Sequence, residues 1–286
     1  MFGKSKKRRA GRWIVVLLLV ALLAWTAWEN TTVELNRYTI ASHRLPEGFD
    51  GYKIAQISDL HNTQLGENNQ KILDQLQTAA PDIIVITGDL VDSRKLDIEI
   101  STAFVEEAVK IAPCYYVTGN HEARLSEYGD IKAQLVALGV TVLEDTSVQL
   151  THEGDTITLL GLLDPSFHGV YKTEEIEKVV DAQLEKLHTD KLSYTVMLFH
   201  RPSHFEIYAE HGVDLVLAGH MHGGQFRVPF LGGLYTPSSG FFPDYDAGLY
   251  TEGDTNMIVS RGLGNSVFPV RFNNPAEVIL IELQTE

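Results

Sequence analysis

Five short polar runs in this 286-residue chain carry side chains that could do metal chemistry together. They are Asp59-Leu60-His61, Gly88-Asp89-Leu90-Val91-Asp92, Gly119-Asn120-His121-Glu122, His200-Arg201-Pro202 and Gly219-His220-Met221-His222-Gly223-Gly224. Each closes a short apolar run that reads as a β-strand: residues 54–58, 83–87, 115–118, 194–199 and 215–218. Open α/β sheets bind ligands at the carboxyl ends of their strands, so Asp59, His61, Asp89, Asn120, His200, His220 and His222 are expected to converge. Carboxylate, amide and imidazole donors mixed in this way suit Mn, Fe or Zn, and the lack of a thiolate argues against a structural zinc site. Taken singly, each run is weak. Asp-x-His is common, Gly-Asp is usually a turn, and a lone histidine usually lies on the surface or in the core. Their joint occurrence at five strand ends carries the reading. The glycines before Asp89, Asn120 and His220 are expected to let the backbone turn sharply there.

The elements that must position these side chains alternate along the chain. Helical periodicity covers 67–79, 96–111, 125–138, 173–187 and 203–211, with Asn68 and Ser203 as N-caps and Gly139 and Gly212 as stops. Residues 148–162, broken at Glu153-Gly154-Asp155, read as a β-hairpin. Further strands are expected at 33–40, 140–143, 257–260 and 277–283. Alternating β and α units followed by a β-rich tail predict an α/β domain with two layers of sheet.

In order and spacing, the five runs resemble the calcineurin-like metallophosphoesterases, from about residue 33 to the C-terminus. His200-Arg201-Pro202, the run at 219–225 and Ser260-Arg261-Gly262-Leu263-Gly264 resemble the membrane-associated or exported bacterial branch. That branch includes relatives of the UDP-2,3-diacylglucosamine pyrophosphatases of lipid A synthesis. The resemblance implies a two-layered β-sandwich flanked by helices and a two-metal site. It implies Asp59, His61 and His222 on one metal, Asn120, His200 and His220 on the other, and Asp89 bridging both. Two divalent ions are implied as cofactors (Mn, Fe or Zn, with Mn the first choice in vitro). Glu122 stands where many members have Asp, and Met221 where this branch often has Thr; neither is a proposed ligand.

Two such ions would activate a bridging water and clamp the attacking and leaving oxygens of an in-line displacement. His121, outside the ligand pattern, is the expected catalytic residue, protonating the leaving oxygen or stabilising transition-state charge. Asp92 reads equally as an acid that orients a ligand or loop and as a solvated turn residue. Arg201 reads equally as a substrate contact and as a residue fixed before Pro202 with its charge in water. Phe226, Val228, Phe230, Leu231, Phe241 and Phe242 follow the last histidine pair. They could form an apolar rim for an acyl-bearing substrate or for docking at lipid, but filling the core of the second sheet is the preferred reading. His43, His152, His168, His188, His204 and His211 are expected in turns or on polar helix faces, without function.

Composition narrows the partners. The formal net charge is −15, yet residues 1–12 hold six bases (Lys4, Lys6, Lys7, Arg8, Arg9, Arg12) and no acid. Residues 13–286 therefore carry 17 bases against 38 acids, and so acidic a body should repel long nucleic acids. Cys114 is the only cysteine, which excludes an internal disulfide. Residues 13–28 carry no charge and would span ~24 Å as a helix, against a hydrocarbon core of ~30 Å. Trp13, Trp25 and Trp28 sit near the ends, as interfacial aromatics do. A cleaved signal peptide would want a small residue three positions before the cut, which Trp25-Thr26-Ala27 lacks, so an uncleaved signal-anchor is preferred.

The expected organisation is a basic cytoplasmic tip (1–12), a membrane anchor (13–28), a short linker with the first strand (29–50) and the metallophosphoesterase domain (51–286). The basic flank keeps the N-terminus cytoplasmic, so a single-pass protein with an extracytoplasmic domain is expected. The expected function is binuclear metal-dependent hydrolysis of a phosphodiester, pyrophosphate or monoester, on a lipid-linked or nucleotide-linked substrate. A lipid precursor made in the cytoplasm would conflict with that placement. Two other classes stay open: an idle metal-binding interaction module, and a nuclease-type phosphodiesterase acting on short nucleotides.

Overall fold

The computed structural model describes residues 3–188, 190–265 and 268–286, with side chains from residue 11 onward. Met1, Phe2 and the side chains of Lys4, Lys6, Lys7, Arg8 and Arg9 in the basic tip lie outside the described residues. The first half of the chain runs α1 (Gly3–Glu29), β1 (Val33–Ser42), β2 (Lys53–Ile57), α2 (Gln70–Ala79), β3 (Ile83–Thr87), α3 (Ile98–Ala108), β4 (Cys114–Val117), α4 (Tyr128–Ala137), β5 (Thr141–Val142), β6 (Thr146–His152) and β7 (Asp155–Gly161). There follow α5 (Thr173–Leu187), β8 (Thr195–Leu198), α6 (Phe205–Glu210), β9 (Leu215–Ala218), β10 (Arg227–Val228), β11 (Gly232–Gly233), β12 (Tyr235–Thr236), β13 (Gly240–Phe241), β14 (Gly248–Glu252), β15 (Thr255–Val259) and β16 (Ala276–Thr285).

Two six-stranded sheets result, ordered β1-β16-β2-β3-β4-β5 and β14-β15-β9-β8-β7-β6. Strands β2 to β5 are parallel, as are β7, β8, β9 and β15, so each sheet sends a row of carboxyl ends toward one edge. Alternation along the strands sets the layers. Ile83 and Val85 join a core between the sheets, with Val196, Leu198, Leu215 and Leu217 opposite. Ile84 and Ile86 face the other way, onto a core with Leu76, Phe104 and Leu135 of α2, α3 and α4. In the second sheet Met197 and Val216 meet Val180 and Leu184 of α5 and Phe205 and Tyr208 of α6. The architecture is helix, sheet, sheet, helix, as expected. Gln56 ties the layers beside their carboxyl edge, donating to Thr87 Oγ1 at 3.1 Å and to Ala218 O at 2.8 Å.

Several boundaries differ from expectation. Gly139 and Gly212 do close α4 and α6, each with a left-handed φ. Neither expected N-cap forms: Asn68 lies inside a short 3-10 turn (Glu67–Asn69), and α6 begins after His204 without a side-chain cap. Asn69 instead accepts the Leu65 N–H at 2.7 Å, which holds the entry loop of α2. Helix α1 is longer than residues 13–28 and ends where Thr31 and Thr32 turn their hydroxyls back to Trp28 O, at 3.0 and 2.9 Å. Its stretch Gly11–Glu29 is the one span among the described residues long and apolar enough to cross a membrane, by length and composition.

The core between the sheets should be the more sensitive to truncation. Leu217→Ala, fully buried two residues before Gly219, is expected to lower stability by about 2–5 kcal/mol, or Tm by about 5–15 °C. Leu192→Ala, at 93% exposure, should change little, and thermal unfolding followed by circular dichroism compares the two.

Candidate metal centre

The carboxyl ends of β2, β3, β4, β8 and β9 bring the seven sequence-predicted donors to one place. Backbone hydrogen bonds carry the β2–β3 pairing past the strands: Asp59 N–H donates to Gly88 O at 3.0 Å and His61 N–H to Asp89 O at 3.1 Å. Asp59, His61, Asp89, His220 and His222 all adopt left-handed φ, between 48° and 73°. Such conformations cost about 1–3 kcal/mol each outside glycine and persist only where their surroundings enforce them. Here the turning is done largely by the donors themselves. The glycines at 119 and 219 are needed for close approach: a Cβ on Gly119 would lie 2.2 Å from Asp89 Oδ1, and one on Gly219 1.9 Å from Ser58 Oγ. Of the three glycines expected to turn the chain, only Gly88 has a positive φ (90°).

The donors fall into two groups that share an edge. Asp59, His61 and His222 form one, and Asp89, His200 and His220 the other, with one donor atom from each residue within 4.8 Å of the rest. Asp89 Oδ2 stands 3.5 Å from His61 Nε2 and 3.3 Å from His200 Nε2, between the groups. Asn120 joins the second group. One end of its amide lies 2.8 Å from His220 Nδ1 and the other 3.2 Å from the Arg124 guanidinium. With its nitrogen toward His220 and its oxygen toward Arg124 both partners are satisfied, and the opposite turn presents the oxygen to a cation beside His220. The donor set therefore fits a divalent metal in each group. His200 and His222 are oriented from behind, with Nδ1 set against Thr87 O at 2.8 Å and Gly264 O at 3.3 Å.

Electrostatics agree with a site built for positive charge. Burial would raise both carboxylates, but His222 and His61 hold Asp59, and His200 and His61 hold Asp89, well below the ordinary range. Burial would lower His200, but Asp89 outweighs it and pushes the imidazole up to about 10. Burial dominates at His222, lowered to about 3, and at His220, also far below its usual value. Some imidazoles thus stay neutral and ready to ligate, while others hold the cation's place as imidazolium.

Above the donors lies a cavity of about 380 Å³, whose rim adds Arg94, Arg124, Tyr171, Arg201, Pro237 and Ser238. His121 lines it, takes the Ser93 N–H on Nδ1 at 3.1 Å, and is lowered to about 4, chiefly by burial. Asp92 is no solvated turn acid: it holds Arg94 through two side-chain hydrogen bonds and lies 3.3 Å from His121 Nδ1. Nor is the Arg201 charge in water. Its guanidinium forks onto buried Asp164 at 2.7 and 3.0 Å and reaches Ser166 Oγ at 3.0 Å. His188 and His204, expected in turns or on polar faces, are buried.

Glu122 is the residue that sequence reasoning passed over. Wholly buried, its carboxylate accepts the N–H groups of Asp89 (3.0 Å), Val91 (3.2 Å) and Gly119 (2.8 Å), locking two donor loops together. Burial, then Asp89, pushes it up to about 7. Its place next to His121 was the available signal, but only the fold shows what it holds.

A family model described as calcineurin-like phosphoesterase matches residues 52–224. The chain belongs to that family. This calcineurin-like phosphoesterase is 31% identical over 270 residues to the uncharacterized metallophosphoesterase YkuE of Bacillus subtilis, covering 90% of this chain and 87% of that one. It is 28% identical to the phosphodiesterase YaeI of Escherichia coli, covering 86% and 88%. A Bos taurus transmembrane protein with metallophosphoesterase domain is 30% identical, covering 89% of this chain and 56% of its own. TT1561 of Thermus thermophilus, at 16% identity, covers 74% of this chain and 89% of its own with a TM-score of 0.50, a likeness of fold alone. As a member of the family, the chain is a metal-dependent phosphoric ester hydrolase.

Metal should be felt in stability. Adding Mn²⁺ at about 100 times its Kd to chelator-stripped protein should contribute ~2.7 kcal/mol, raising Tm by about 5–10 °C. Glu122→Ala leaves three buried N–H groups without an acceptor and should cost about 3 kcal/mol or more, with Mn²⁺ affinity down about 10–100-fold. Glu122→Gln, which keeps one carbonyl oxygen, should fall between in Mn²⁺-dependent thermal shifts.

Proposed function

We propose that the two donor groups hold a pair of divalent ions sharing Asp89, and that the site hydrolyses phosphodiesters. The placement of Asp89 Oδ2 between His61 and His200 carries this reading. When bound, the ions would supply a nucleophilic water near neutral pH and a positive clamp on the phosphoryl oxygens. Asp59, His61 and His222 serve one ion; Asn120, His200 and His220 serve the other. His121 stabilises the charge on the leaving oxygen. With Nδ1 occupied by the Ser93 N–H, the neutral ring carries its proton on Nε2, free to hydrogen-bond the oxygen on which that charge develops. Asp92 is held by Arg94, and Arg201 is committed to Asp164 and Ser166. Arg94 and Arg124 add positive charge to the cavity of an otherwise acidic body, which suits an anionic ester. Preference for a diester rests on the similarity to YaeI, named a phosphodiesterase.

The assay uses the full-length protein in detergent with Mn²⁺, on bis(p-nitrophenyl) phosphate and p-nitrophenyl phosphate. Diester turnover is expected to exceed monoester turnover. Asp89→Asn should abolish it, while His121→Ala should lower kcat by about 10²–10⁴ with both metals retained. Wild-type activity in Asp89→Asn with two metals bound would remove the bridging role, and faster monoester turnover would move the substrate class.

We also propose that α1 tethers the protein to the cell membrane with the N-terminus inside and the domain outside. The apolar span and the six bases preceding residue 13 support it, as does the likeness to a transmembrane protein carrying this domain. Externally added protease should digest the domain on intact spheroplasts; protection until lysis would place it on the cytoplasmic side.

A further inference from the structure

Outside α1, eleven large hydrophobic side chains are exposed among the described residues, and seven of them fall within 228–242 and 268–270. Phe230 is fully exposed, Phe241 is 70% exposed, and Val228, Leu231, Phe242, Phe268 and Val270 join them. The expectation that the residues after His222 fill the second sheet's core therefore fails; Phe226 is half-buried, but against Phe268 rather than in that core. The short pairings β10–β11 and β12–β13 do not join either main sheet, so their apolar side chains have no layer to enter.

Both segments lie where α1 leaves the domain. Asn30 Nδ2 donates to Arg271 O at 2.8 Å, Asn30 Oδ1 accepts the Arg271 N–H at 2.8 Å, and Glu29 Oε2 accepts the Asn273 N–H at 2.7 Å. Phe268 and Val270 precede this clamp by at most three residues. Phe272 pairs in turn with Phe226, and Arg227 N–H donates to Phe272 O at 3.0 Å, which hangs the turn bearing Val228, Phe230 and Leu231 on the same clamp. Trp25 and Trp28, rings 5.3 Å apart and half exposed, mark the same end of α1, where tryptophans sit at a membrane surface. The β12–β13 hairpin then leads to the metal cavity, because Pro237 and Ser238 at its tip line that cavity while Phe241 packs on Tyr235 at 5.2 Å.

We infer that residues 228–242 and 268–270 dock onto the bilayer that α1 enters, laying the mouth of the metal cavity against the lipid surface. This rests on the tether proposed above and adds the orientation of the domain. Clustered apolar side chains of this size mark a contact surface, and the occupant is set by the membrane helix bonded to the same segment. The body is too acidic to be drawn down by anionic lipid, so the contact is apolar and should persist in zwitterionic vesicles at high salt.

The full-length chain allows a direct test, because its single cysteine, Cys114, is buried with its thiol pushed up to about 12 by that burial. Phe230→Cys, Phe241→Cys and Phe268→Cys would each carry an NBD label in phosphatidylcholine vesicles containing doxyl-lipid quencher. Leu192→Cys, at the amino end of β8 and so away from the cavity edge, is the control. Quenching at the three test positions should exceed the control by at least about two-fold, as for apolar groups buried in the headgroup and acyl boundary. Phe230→Asp with Phe241→Asp should reduce quenching at residue 268 while leaving bis(p-nitrophenyl) phosphate turnover unchanged. Labels at 230 and 241 quenched no more than at 192, in protein that floats with the vesicles, would overturn the docking and leave the tether standing. Protein that fails to float would remove both.

Discussion

Asp89 reaches toward two imidazoles from opposite groups, and much of the molecule is arranged so that this one carboxylate can do so. Its backbone is bent into a left-handed turn, its N–H is held by Glu122, and its second oxygen accepts the His121 N–H at 2.8 Å. Both hydrogen bonds come from the run after β4, while the two imidazoles come from the ends of β2 and β8. Were β8 and β9 to slip by one residue against their sheet neighbours, their side chains would exchange faces, and His200 and His220 would leave the site. The apolar layer between the sheets, with Gln56 bridging to Ala218 O at its edge, is what forbids that slip.

Packing two carboxylates and four imidazoles into a buried space is costly for a metal-free protein. Protons carry the missing positive charge: His200 is raised and both aspartates are lowered, whereas His220 and His222 are kept neutral by burial. Exchange of protons for divalent ions relieves the same repulsion more completely, because each ion takes several lone pairs at once. The Asn120 amide serves either state: turned one way it bonds both His220 and Arg124, and turned the other way it offers its oxygen to an ion. Stability, donor orientation and the proposed chemistry thus share one physical origin.

Much of this is legible in the sequence because the information is local. A strand of four or five apolar residues followed at once by a ligand-type side chain specifies both the element and the edge where that side chain emerges. The layer order follows from the alternation of β and α units. What escapes is non-local. Glu122 is one letter in a run, and its three N–H partners belong to other loops or to a turn that closes only in the fold. Arg201 and Asp92 each allow two readings in the sequence, and the deciding partners, Asp164 and His121, lie 37 and 29 residues away. The glycines at 119 and 219 escape for the same reason: the collision that forbids a Cβ there is with another loop, which no local turn preference announces.

Apolar composition misleads most where a segment has no sheet to join. Phe230, Phe241 and Phe242 look like core residues when counted, because burial is the usual fate of phenylalanine. In the fold they sit in or beside two-residue pairings that join neither main sheet. The segment next to them does two things at once. Arg271 and Asn273 hold the end of α1, and Asn274, one residue on, donates to His222 O at 2.8 Å from a fully buried position. Helix α1 and one of the donor groups are therefore anchored to the same four residues. Were α1 fixed in a bilayer, as proposed, it would constrain that segment, and through it the backbone of His222, without any contact between lipid and donor side chains. The separation that sequence suggests, a membrane anchor first and an enzyme after it, does not hold at the level of hydrogen bonds.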